Sequence, residues 1–232
     1  MIAPALVIAS AMLLTQPEGR IDAFPGIVVD YDARSIELAG FVPVDAHSEE
    51  TPDVIVEVVA EAGGVRDHEA LVRIEAEARH VHAALLLLGL EPGTPGAILN
   101  DGTRREPEGP ELIVTVRYEA DGATVEESPT EWVHDPDAGT RLIDASPGFR
   151  FTGSSEREFD GATYYMAGAE GVVVGLSTFG AGDAENAIGI ETVGMTPVYN
   201  PDISSGDPIW LADADRVPTF ETRVTLVLSV PE

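Results

Sequence analysis

The sequence predicts an α+β fold that is mainly antiparallel β: a sheet of hairpins with one short buried helix packed against it. Three observations lead there. Apolar residues recur with period two in several segments, the spacing of a half-buried strand. Turn clusters, including Asp-Gly pairs at Asp101 and Asp121, separate those segments at hairpin-like distances. Only ARHVHAALLLLGLEP, residues 78–92, carries its apolar residues at helical spacing.

Residues 2–14 form an apolar run that Thr15, Gln16, Pro17 and Glu18 break. Its length suits the hydrophobic core of a signal peptide and is short for a bilayer span. The expected organisation is a leader over residues 1–20 and a single β-rich domain over 21–232, with export to the periplasm or the cell exterior. No Lys or Arg precedes the run, so the alternative is an N-terminal strand packed on a cytoplasmic protein. GIVVDYDARSIELAG (26–40) reads as a hairpin: Ile27–Tyr31 is extended, Asp32–Arg34 connects, and Ile36, Leu38 and Gly40 alternate. DVIVEVVAEAGG (53–64) is a strand ended by Gly63-Gly64, and HEALVRIEAEA (68–78) follows as its partner.

In the helix, Val81, Ala84, Leu85 and Leu88 fall at i, i+3, i+4 and i+7, and Leu86 and Leu87 widen the stripe nearly all round. Such a helix must be covered on most sides. Gly89 suits the left-handed position after the last turn, and Pro92 bars continuation. ELIVTVRYEADGATVEE (111–127) is a hairpin turning at Asp121-Gly122. EWVHD (131–135) and FRFTGS (149–154) hold short strands. TYYMAGAEGVVVGLSTFG (163–180) reads as a third hairpin, turning near Ala169, Glu170 and Gly171. Residues 183–218 read as irregular, and FETRVTLVLSV (220–230) closes the chain as a strand.

Composition removes much chemistry. The formal net charge is −28, from 41 acidic residues against 13 basic ones. That field repels phosphate backbones and anionic lipid surfaces, so no nucleic-acid partner is expected. No segment after the leader is apolar for long enough to span a membrane, so no span is expected once the leader is removed. Every basic residue is arginine, which excludes a P-loop lysine, a Schiff base and a lysine general base. Cysteine is absent, which excludes thiol nucleophiles, thiolate metal sites and disulfides.

The remaining candidates are few. His80 and His82 lie about 200° apart on a helix by the 3.6-residue period, so one metal cannot take both. The sequence therefore casts His82 as a packed residue bonded to a carbonyl, with a pocket-facing role as the alternative. His68 and Glu69 have the composition of a general-base pair, but neighbours on a strand point to opposite faces. GLSTFG (175–180) misses the nucleophile-elbow spacing G-x-S-x-G by one residue. Asp135 and Asp137 open a DPDAGT turn that starts like a calcium loop; Gly139 and Ser146 then stand where that loop wants other residues. No cofactor is called for beyond that candidate calcium, and no glycine-rich phosphate loop lies between a strand and a helix.

Within VRDHEALVRIEAEARHVHAALLLLGLEPGTP, the residues His68, Glu69, His82, Ala83, Ala84, Leu85, Leu86, Gly89, Leu90, Pro92 and Gly93 form a strand-to-helix signature. That signature resembles the YdjY-like domain family, and GIVVDYDARSIELAG, FTGS and VPTFETRVTLVL are similar to its flanks. The resemblance covers most of the chain after the leader. It implies an exported domain of no settled activity. Some members are described as ferredoxin-like and cysteine-rich; without cysteine, an iron–sulfur role does not carry over. It also implies a pairing of His68 with His82 at one end of the helix. The expected function is an exported, acidic binding or structural domain of the cell envelope, without enzymatic activity, taking a protein, glycan or cation partner. The alternative is a hydrolase or metal-dependent enzyme using His68 or His82.

Overall fold

Residues 18–50 and 53–232 are described by a computed structural model of the chain. The apolar run of the expected leader lies outside them. Strands β1 (Arg20–Phe24), β2 (Ile27–Asp30) and β3 (Ser35–Phe41) form an antiparallel meander. Strands β4 (Val58–Ala62) and β5 (Ala70–Ile74) follow. The hairpin of β6 (Glu111–Ala120) and β7 (Ala123–Glu127) turns at Asp121 (φ 52°) and Gly122 (φ 77°), the mirror-image turn that matches strand twist. Strands β8 (Gly148–Phe151), β9 (Val172–Gly175), β10 (Val193–Thr196) and β11 (Arg223–Ser229) complete an eleven-stranded sheet.

The expected sheet of hairpins is corrected here: eight of these strands close into a barrel, in the order β3-β11-β6-β8-β10-β9-β4-β5 and back to β3. Alternation tells which face of a strand is buried but not whether the ends of a sheet meet. The seam is made at Gly40 and Phe41 of β3, opposite Ile74 and Arg73 of β5. Gly40 is there because nothing larger fits: a Cβ would stand 2.4 Å from the Arg73 carbonyl oxygen. Rows of side chains fill the interior. Leu226 faces Leu38 on one side and Val116 on the other, and Leu228 likewise faces Ile36 and Val114, all buried.

Two pairings in the ring are parallel, β4 with β5 and β10 with β9. Gly63 (φ 96°) and Gly64 (φ 78°) turn the chain out of β4, and a 3₁₀ turn at Asp67–Glu69 feeds it back alongside. The expected third hairpin is also corrected. Ala162–Tyr165 pairs back with Glu156–Phe159 through Asp160-Gly161, forming an arm in which every residue but Tyr165 is exposed. A four-residue helix, α2 (Met166–Ala169), then leads into β9.

Helix α1 (Ala78–Leu87) packs on β1, β2, β9 and α2 and buries Ala78, Val81, Ala84 and Leu85. It stops as the sequence predicts. Gly89 (φ 80°) donates to the Leu86 carbonyl and Leu90 to the Leu85 carbonyl, the paired bonds of a Schellman ending. Gly89→Ala is expected to cost about 1–2 kcal/mol, because Cβ crowds a carbonyl in the left-handed region; urea denaturation reads the loss. Among the described residues, no helix is long and apolar enough to cross a membrane.

Candidate functional site

Two hollows meet over the N-terminal half of α1. The larger, about 980 Å³, lies between the end of β5, the first turn of α1 and the exposed arm; Arg73, Arg79, Tyr164 and Tyr165 are in its lining. The smaller, about 410 Å³, includes Arg79, His82, Gly153, Glu156 and Tyr165. Arg79 and Tyr165 line both, so the two hollows adjoin, and they are taken together below as the groove over α1. The arm exists as a wall because Asp160-Gly161 folds two strands that the barrel does not take up.

His82 stands on the second turn of α1, with its ring edge against Phe151 and Tyr165. Its Nδ1 lies 3.0 Å from the Gly153 carbonyl oxygen and 3.1 Å from the Tyr165 hydroxyl. A carbonyl only accepts, so Nδ1 carries the proton and donates it there. The other nitrogen, Nε2, is then a lone-pair acceptor. Among the described residues Nε2 has no hydrogen-bond partner, and it is not sealed from solvent. Burial pushes the imidazole below the usual histidine range, so it is neutral at neutral pH.

The groups around His82 are tied down in turn. The Tyr165 hydroxyl bonds to Thr192 Oγ1 at 2.9 Å, and Ser154 Oγ donates to the Ile190 carbonyl at 2.6 Å while accepting from the Ala167 amide at 3.0 Å. Ser154 holds φ at 62°, directly after Gly153 at 88°. This left-handed pair aims the Gly153 carbonyl at His82, and its cost is met by those bonds. Arg79 lies over the Tyr165 ring at 5.7 Å and 3.7 Å from Glu156 Oε1, with its side chain 57% exposed. An exposed pair at that distance exchanges readily with water or ligand.

The other sequence candidates fall elsewhere. His68 sits on the 3₁₀ turn before β5 with a 78% exposed side chain, and its Nε2 is 3.8 Å from Glu69 Oε2. The turn, not a strand, carries both residues, which is why they approach. Glu69 is taken up mainly by Arg66. His68 and His82 share no bonding partner, so the structure does not bring the expected pair together. His80 stacks on Phe24 at 4.8 Å. Asp135 Oδ1 accepts from the Asp137 and Ala138 amides at 2.9 and 3.2 Å, which makes it the clasp of a tight turn, and Asp137 is exposed beside it. Among the described residues, no group of three or more histidines and carboxylates is placed to hold a metal.

Sequence reasoning missed two things. The first is Arg79, Glu156, Tyr164 and Tyr165, which become neighbours only through the arm. The second is a set of carboxyl groups at the β4–β5 crossover. Glu61 is fully buried, accepts from the Gly64 amide, faces Arg73 and contacts Asp67. Glu57 contacts Glu69, with Arg66 beside both. Burial, then the neighbouring carboxyl, pushes Glu57 and Glu61 up to about 7. Glu191 is pushed up to about 6 by burial, although its Oε1 accepts from the Phe179 amide at 2.7 Å. A glutamate inside the apolar run VVAEA was the visible signal for Glu61.

No curated protein and no solved structure shows a significant match to this chain. The model of the YdjY domain matches residues 27–190, a span that takes in strands β3 to β9, α1 and the groove. The resemblance read from the helix signature therefore holds over most of the sequence, and the chain belongs to the YdjY domain family.

Proposed function

We propose that this chain is a binding domain of the cell envelope, and that its ligand lies in the groove over α1. One observation carries the reading: a neutral imidazole, fixed in one tautomer by a backbone carbonyl and with no partner for its Nε2 among the described residues, lines an open hollow beside Arg79 and Glu156. Binding sites are concave and carry a few converging polar groups held by a rigid frame, and the barrel is that frame. The apolar run at residues 2–14 supports the envelope assignment. In amide NMR spectra, a mixed panel of neutral oligosaccharides and short peptides is expected to shift Arg79, His82, Gly153 and Tyr164 before other residues. Shifts confined to the far side of the barrel, or none at all, would remove this reading.

The second reading is a hydrolase in which His82 Nε2 takes a proton from water. The same tautomer favours it. Ser154 is a poor nucleophile for such an enzyme, since its hydroxyl is already committed to Ile190 and Ala167. Turnover of a ligand identified in the panel, lost in His82→Ala, would place this reading first.

A further inference from the structure

We infer that the ligand of this groove is an uncharged oligosaccharide, an inference that rests on the binding role proposed above. The hydrogen-bonding complement of the smaller hollow is mixed. His82 Nε2 can only accept, so its partner must donate. The Arg79 guanidinium can only donate, so its partner must accept. The Glu156 carboxylate can only accept, and it is 61% exposed, within reach of a ligand in the same hollow. A hydroxyl both donates and accepts. A ring bearing several hydroxyls therefore satisfies all three groups, where a carboxylate or an ammonium would satisfy one side and clash with the other.

The larger hollow adds a surface for the carbon face of a sugar. The Tyr164 ring is 45% exposed and lines the groove. Such a half-wet aromatic offers an apolar face at little cost in side-chain entropy. The two hollows, about 980 and 410 Å³, are open to solvent rather than closed around a single molecule.

Two other ligand classes fit less well. An anionic ligand must approach a chain of net charge −28, and the two groove arginines are already faced by acids, Arg73 by Asp67 and Arg79 by Glu156. An extended peptide is usually read by a strand edge, which offers evenly spaced backbone groups. In the smaller hollow the polar groups are instead side chains one helical turn apart, Arg79 and His82, with Glu156 across from them.

The test is calorimetric titration with neutral glucose and N-acetylglucosamine oligosaccharides of two to six units, beside uncharged peptides of similar length. Affinity is expected to rise with sugar chain length and to change less than twofold between low and high salt, because no ion pair forms. Arg79→Ala and Tyr164→Ala replace exposed side chains outside the core, and each is expected to weaken binding about tenfold at an unchanged melting temperature. If sugars fail while peptides bind and shift Arg79 and His82, the ligand class is wrong and the groove stands. If neither panel binds, both the inference and the role beneath it fall. Sugar binding untouched by Arg79→Ala and Tyr164→Ala would overturn the location.

Discussion

Gly40→Val is expected to destabilise the protein by about 3 kcal/mol or more, near the upper end for overpacking and a large part of a typical domain's stability. The reason is geometric. Gly40 sits where β3 meets β5, and the first carbon of any side chain would stand 2.4 Å from the Arg73 carbonyl oxygen and 3.2 Å from Val72 Cγ1. The first of these is backbone and cannot turn aside. On its other flank β3 is held along its whole length by β11, from Ser35 to Phe41. The strand therefore cannot shift outward without breaking that ladder, and the seam with β5 must part instead. Parting exposes the interior rows at Leu38 and Ile74. Ala39→Val is the control: it lies one residue away on the opposite face, half-buried, and its cost is expected to stay within about 0.5 kcal/mol. Urea unfolding of the three proteins measures both. A Gly40→Val protein within about 1 kcal/mol of the parent would mean that the barrel does not close at this seam.

That same seam marks how far the sequence could be read. Local features were legible because local rules govern them. The leucine stripe and Gly89 announce α1 and its ending, Asp121-Gly122 announces the β6–β7 hairpin, and Val224, Leu226 and Leu228 announce β11. Closure was not legible, since Gly40 in a strand reads as a weak residue until the Arg73 carbonyl is seen beside it. Gly63-Gly64 reads as a hairpin turn, yet here it starts a parallel crossover. Strand β10 lay hidden in a stretch rich in Gly and Pro, because four residues with a central glycine, Val193–Thr196, show no periodicity. Residues 163–180 read as a hairpin turning at Gly171, whereas the chain turns at Asp160-Gly161 into the arm that forms one wall of the groove. His82 was legible as a residue bonded to a carbonyl. What could not be seen was which carbonyl, and hence which nitrogen is left open.

The second large effect is on pH. The melting temperature is expected to fall by on the order of 5 °C between pH 5 and pH 8. Glu57 and Glu61 are pushed up to about 7 and Glu191 to about 6 in the folded chain, against an ordinary glutamate value near 4.5. The folded state thus binds protons more tightly than the unfolded one across this window. The stability these groups contribute is complete below pH 4.5 and is lost as pH rises through 6 to 7. Glu37 works in the opposite sense. Arg20, first, and then Arg117 hold it below the usual range, so its contribution is lost as pH falls below 4.5. Greatest stability should therefore lie near pH 5, between the two. General repulsion in a chain of charge −28 would also weaken the fold as carboxyls ionise, so slope alone does not identify the cause. Glu61→Gln does. The amide copies the shape of the protonated acid, can still accept from the Gly64 amide, and can donate to Asp67 at any pH. It should match the parent at pH 5, exceed it at pH 8 and flatten the slope between, while removing only one of 41 acids from the general repulsion. An unchanged slope in Glu61→Gln would assign the effect to overall charge, and a melting temperature that rises from pH 5 to pH 8 would contradict the buried carboxyl pairs altogether.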